Sequence, residues 1–189
     1  MKRFNLYGLA FLLSMSLTTR ALAENNDSLL LIMKNISLHD SVRYGVSELL
    51  INQNVYSDPQ LALKHADIFQ LLAENEKRND WLADVLWKKG IIYRELNDVK
   101  KAITSLFDAL EMAEKNENEL LKSKIYNSLG AVYTNQENYT DAEECFKKSL
   151  AICLKLDDKM SLADAYLNMG GINKIIGKYG KFAVVQQDK

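Results

Sequence analysis

Cysteine, histidine, tryptophan and proline are scarce in this chain, with two, two, two and one among 189 residues. Each scarcity closes a door. Cys145 and Cys153 are eight residues apart on one expected helix, about 12 Å by helical rise, whereas a disulfide needs α-carbons within about 7 Å. They cannot pair with each other there. His39 and His65 have no Cys or His at ligand spacing, which argues against a metal site. Neither sign of charge dominates, with 24 basic and 25 acidic residues, so the clustered basic face of a nucleic-acid binder is missing. Lys88-Lys89 and Lys147-Lys148 stand beside acids and read as solvated helix faces. Glu143-Glu144 and Asp157-Asp158 are adjacent in sequence, so they point to different faces or into a loop. There is no glycine-rich phosphate loop and no nucleophile elbow. With no catalytic constellation and no cofactor motif, the chain reads as a non-enzymatic binding scaffold.

Long apolar runs are also missing. The longest, Leu6 to Leu17, is shorter than the roughly 20 residues of a membrane-spanning helix. It follows Lys2-Arg3 and precedes Ala21-Leu22-Ala23, the layout of a secretory signal peptide over residues 1–23 with cleavage before Glu24. The expected mature protein is therefore exported, periplasmic or extracellular, with no membrane span. Arg20 near the cut keeps a second reading open, an uncleaved segment that anchors the chain to a membrane. With Lys2, Arg3 and Arg20 set aside, 21 basic residues face 25 acidic ones.

What the sequence does contain is a period. Gly90, Gly130 and Gly170 are 40 residues apart, each inside the same pattern. Tyr126-x-x-Leu129-Gly130-x-x-Tyr133, then Ala142-x-x-x-Phe146, overlays Leu86-x-x-Lys89-Gly90-x-x-Tyr93, then Ala102-x-x-x-Leu106; a third copy begins Tyr166-x-x-Met169-Gly170. Apolar residues recur at three- and four-residue steps within each copy, so each copy is two amphipathic helices. Breaks inside copies fall at Asn97-Asp98 and Asn138-Tyr139, where Asn or Asp can cap the second helix. Breaks between copies fall at Asn116-Glu117-Asn118 and Leu156-Asp157-Asp158. The glycine and the alanine of one copy lie on facing helices and let the two backbones approach. Shifted by 40, Cys145 and Cys153 replace Ser105 and Ala113, so both read as small buried side chains.

The period divides the chain into a capping segment at 24–42, helical over Ser28 to Leu38, a degenerate first copy at 43–82, copies at 83–122 and 123–162, and an incomplete copy at 163–189. In the first, Leu50 takes the glycine slot and Asp58-Pro59 starts the second helix. In the last, the pattern fails after Gly170, with Asn173, Phe182 and Gln186 in the Tyr, Ala and Phe slots. Val184 and Val185 offer little to cover the final apolar face. This end has two readings, a truncated or altered product of a longer gene, or a short natural terminus.

The pattern of an aromatic, Leu-Gly, Tyr, then Ala and Phe resembles the tetratricopeptide repeat. The resemblance implies an all-α, right-handed α-solenoid of stacked antiparallel helix pairs. The closing proline of that family is missing and the period is 40 rather than about 34. Long-repeat relatives such as kinesin light chains and bacterial peptide-sensing regulators show similar lengthening, which is expected here in the second helix and the loop after it.

In that family the first helices of successive pairs line a concave groove that holds a protein or peptide ligand. Carried onto this chain, the groove residues are Trp87, Ile91 and Arg94 on one first helix. On the next they are Lys124, Asn127, Ala131, Thr134 and Asn135, and on the last Asn168 and Lys174. Asn side chains can donate to and accept from an extended backbone at once, and Trp87 stands out as an exposed indole. The resemblance also admits another reading, the sensor portion of a bacterial signalling protein carrying a histidine kinase or transcriptional regulator. Self-association through the incomplete last repeat is the remaining partner expectation.

Overall fold

The structure, a computed structural model, describes residues 31, 33–35, 37–156 and 158–187, with side chains as far as Gly177. The signal segment and residues 24–30, 32 and 36 of the capping segment lie outside the described residues. Seven helices are defined among those described: α1 (Asp40–Asn54), α2 (Pro59–Asn75), α3 (Asn79–Glu95), α4 (Val99–Lys115), α5 (Glu119–Asn135), α6 (Tyr139–Leu156) and α7 (Lys159–Gln187). No strand occurs among the described residues. The chain forms two compact units, Met1–Glu76 and Lys77–Lys189.

In the first unit, α1 and α2 form the degenerate pair. Asp58 caps α2 by accepting from the Leu61 amide at 3.0 Å, with Pro59 in the first turn where its missing N–H costs nothing. Leu50, in the glycine slot, is fully buried, and His65 is buried too, its Nδ1 3.2 Å from the Leu50 carbonyl. Arg43 is buried as well. It donates to the Met33 carbonyl at 3.1 Å and pairs with Glu76 through both terminal nitrogens, fastening buried Met33 against the helix pair.

The second unit is built on a half-period of 20. Helices α3, α4 and α5 are 17 residues each and α6 is 18. Positive φ recurs at Lys77, Asn97, Glu117 and Glu137. Each of the last three turns uses its three residues twice. The amide of the residue after the positive-φ position reaches back to the preceding helix (Asp98 to Tyr93 O, Asn118 to Ala113 O, Asn138 to Tyr133 O, 2.8 to 2.9 Å), closing a Schellman motif. The same residue then caps the next helix: Asp98 accepts from Lys101 N and Asn118 from Leu121 N. The expected breaks are where the sequence put them. The expected lengthening is not: the turn at 116–118 between copies is as short as the turns at 96–98 and 136–138 within them, and the first and second helices of a copy differ by at most one residue. With one three-residue motif making both kinds of turn, the longer period is shared by both helices of the pair.

Packing follows the pattern. Helix α4 buries Ala102, Ser105, Leu106, Ala109, Leu110 and Ala113, a continuous stripe at three- and four-residue steps. It joins Ile125, Leu129 and Val132 of α5 in the main core of this unit. A Cβ on Gly90 would stand 2.5 Å from Leu106, and one on Gly130 would stand 2.5 Å from Phe146. Both glycines are close-approach sites. Gly170 differs, because a Cβ there meets nothing within 4 Å among the described residues. Helix α7 runs 29 residues without the break that residues 97–98 and 137–138 supply to earlier copies. The equivalent dipeptide is Gly177-Lys178, and a lysine offers no acceptor to cap a new helix.

Candidate functional site

The first helices α5 and α7 run side by side, and two hydrogen bonds stitch the first helices together at the same repeat position. Trp87 of α3 donates its indole N–H to Ser128 Oγ of α5 at 2.8 Å, and Ser128 in turn donates to the Lys124 carbonyl. One repeat later, Asn168 of α7 donates to Asn127 Oδ1 of α5 at 2.8 Å. Asn127 stands 40 residues after Trp87 and Asn168 stands 40 after Ser128, so one polar rung is built twice with different side chains.

The Asn127–Asn168 rung sits between two cavities. One, of about 160 Å³, is lined by Trp87, Lys124 and Asn127 together with Met160 and Asp164 of α7. The Lys124 ammonium lies 5.5 Å from the Trp87 ring centre and Lys88 lies 5.0 Å from it, both in cation–π range. At the start of α7, Asp158 is held below the usual carboxylate range, first by its hydrogen bond from Ser161, with further help from two backbone amides and the Lys124 charge. The second cavity, of about 180 Å³, is lined by Ala131, Thr134 and Asn135 on α5 and by Leu167, Asn168 and Gly171 on α7. Phe146, Ile172 and Ile175 complete its apolar wall.

Seven of the ten groove residues read from the sequence line these cavities: Trp87, Lys124 and Asn127 the first, Ala131, Thr134, Asn135 and Asn168 the second. Ile91, Arg94 and Lys174 line neither. Arg94 is half-buried and bound to Glu95, and Lys174 is exposed. Two expectations need correction. Trp87 is not an exposed indole: it is half-buried against the core and its N–H is committed to Ser128. Lys88 is not on a solvated face. Only 4% exposed, it lies 3.9 Å from Asp84 one turn back. Lys147 and Lys148 do sit on the solvated face, paired with Glu143 and Glu144.

The register would have supplied three of the residues that were missed. Positions 87, 127 and 167 form one column along the first helices, 91, 131 and 171 another, and 84, 124 and 164 a third. Leu167, Gly171 and Asp164 are therefore the next members of columns already read from the sequence. Ser149 and Phe146 come from α6, whose reach into the groove a first-helix rule does not foresee.

The remaining chemistry is structural. Both cysteines are free and buried, and burial pushes the Cys145 thiol up to about 11. His39 caps α1, accepting from Ser41 N. Among the described residues, no group of three or more His, Cys, Asp or Glu could hold a metal ion, and no helix is long and apolar enough to cross a membrane.

Antiparallel helix pairs, with small residues at the crossing and a polar rung between first helices, define a helical-repeat fold. Residues 83–116 and 122–181 each match a tetratricopeptide repeat family, and the chain carries tetratricopeptide repeats. The structure is similar to the crystal structure of BtubC (BKLC) from P. vanneervenii, with a TM-score of 0.64 and 20% identity over 82% of this chain and 65% of that one. At that identity the likeness concerns the fold. Response regulator aspartate phosphatase I of Bacillus subtilis (strain 168) is 40% identical over 70 residues, which is 37% of this chain and 18% of that protein.

Proposed function

We propose that the protein is a non-enzymatic scaffold whose α5–α7 groove binds an extended segment of a protein or peptide. The observation that carries this reading is the pair of cavities on either side of the Asn127–Asn168 rung. A bound segment gains two recesses for side chains and, between them, two amides able to donate to and accept from its backbone. Tetratricopeptide repeats generally mediate protein–protein interaction, which supports the same reading. The protein acts after export, with Glu24 as its first residue. Mass spectrometry of the native protein checks the cleavage, and an intact 1–23 segment would point to a membrane-anchored form.

The test is a pull-down from the native host with the intact groove, with Asn127→Ala, and with Lys147→Ala on the outer face. Proteins retained by the parent and by Lys147→Ala but lost by Asn127→Ala support the groove. Equal retention by all three places binding elsewhere, on the exposed face of α7, where self-association would show as a concentration-dependent mass.

A second reading, the sensor portion of a signalling protein, is favoured by the Bacillus relative, whose name places it with response regulators. Kinase or helix-turn-helix sequence in the reading frame beyond Lys189 would support it.

A further inference from the structure

We infer that the outer face of α7 pairs with the α7 of a second copy, antiparallel and about a two-fold axis, each helix seating its Leu167 against the Gly170 of the other. In the complete copies the glycine slot is filled from within the chain. Leu106 stands 16 residues after Gly90 and Phe146 stands 16 after Gly130, and each lies 2.5 Å from where a Cβ on its glycine would be. The residue in that place after Gly170 is Gln186, which belongs to the same unbroken helix, about 24 Å away by helical rise. It cannot turn back onto the slot. Gly170, Gly171 and Gly177 are therefore left open, with nothing among the described residues within 4 Å of a Cβ at any of them.

The same face carries the large side chains that fit these openings. Met160, Tyr166 and Leu167 are 79%, 54% and 73% exposed, a concentration of bare apolar surface on one helix. Met160, Ala163, Leu167, Gly170, Lys174 and Gly177 follow one another at steps of three and four, the seam of a helix that coils against another. All six are exposed, while Ala165 and Ile172 are buried on the opposite side. Shape and charge together select a second copy, running antiparallel. With the two-fold axis between residues 168 and 169, Leu167 lies level with the second copy's Gly170, Met160 with its Gly177 and Tyr166 with its Gly171. Each large side chain then faces a residue that has none. Lys174 comes within one position of the second copy's Asp164, and symmetry makes every such contact twice. A parallel pair would set Leu167 on Leu167 and Lys174 on Lys174. The face is thus complementary to itself only when one helix is reversed. Leu167 and Gly171 also border the second cavity, so the pairing shares an edge with the groove, but it does not rest on the groove reading.

Sedimentation of the purified protein over a concentration series, joined to cysteine cross-linking, tests the pairing. The parent should approach twice the chain mass as its concentration rises. Gly170→Glu should keep the single chain mass at the same concentrations with its helical circular dichroism intact, since the slot is open in the single chain and glutamate favours a helix more than glycine does. Under mild oxidation, a mixture of Leu167→Cys chains with Gly170→Cys chains should yield a disulfide-linked dimer, because the two positions lie level across the pair. Either variant by itself should not link, and Cys145 and Cys153, both buried, stay out of the reaction. A parent that keeps the single chain mass up to about 1 mM overturns the pairing, and so does self-association that survives Gly170→Glu. Linkage of Leu167→Cys chains to one another would show a parallel pair and overturn the antiparallel one.

Discussion

Three glycines at one repeat position have different neighbours, and side-chain packing alone separates them. A methyl on Gly130 would enter the space of the Phe146 ring, so Gly130→Ala should destabilise by about 1–3 kcal/mol. Gly170→Ala meets open space and should instead gain about 0.5–1 kcal/mol from helix propensity. Thermal melts of the two variants check both signs, and equal shifts would dissolve the distinction. Cys145 offers a chemical test. Its thiol, pushed up to about 11 by burial, stays protonated and unreactive at pH 8, because only the thiolate attacks. Iodoacetamide at pH 8 should label it slowly in the folded protein and quickly in urea.

At the scale of the element, the turn is the unit that repeats. Lys77, Glu117 and Glu137 adopt a left-handed conformation that favours glycine or asparagine, and only Asn97 has the residue suited to it. Glu117→Gly should therefore stabilise the second unit by about 0.5–1 kcal/mol, read as a rise in the urea midpoint at unchanged slope. The positions of the turns were legible in the sequence, since Asp98 and Asn138 are acceptors standing just before apolar periodicity. Their equality was not. Nothing in Glu117 or Glu137 announces a positive φ, so the period alone predicts the extra residues in the second helix and the loop after it, whereas the Schellman geometry closes that loop in three residues. The long α7 has the same kind of cause: Gly177 would suit the turn, but Lys178 has no acceptor with which to cap a second helix.

For the whole molecule, the repeat register carried most of the site. Seven of the ten residues chosen because they occupy first helices came together around two cavities, and Asp164, Leu167 and Gly171, which were overlooked, stand in the same columns. What the register could not give was the state of each side chain. Trp87 and Asn127 occupy one column and read alike as free groove residues, yet each is engaged in a rung to the next helix. Lys88 sits in a string of charged residues and is nonetheless buried beside Asp84, because its helix turns that position toward the core rather than toward water. Removing Asn127 therefore has two consequences. It leaves the Asn168 amide without its acceptor and takes from a ligand the groups its backbone would use, while Trp87→Ala would also strip packing from the core and is the poorer probe.

The central claim is that the groove is where this protein binds. It is tested most directly by calorimetric titration of a captured partner segment into the parent, Asn127→Ala and Lys147→Ala, each first shown by thermal melt to be folded. The groove account predicts a loss of about 1–3 kcal/mol for Asn127→Ala, roughly 5- to 150-fold in affinity, and no change for Lys147→Ala. Equal affinity for all three would contradict it.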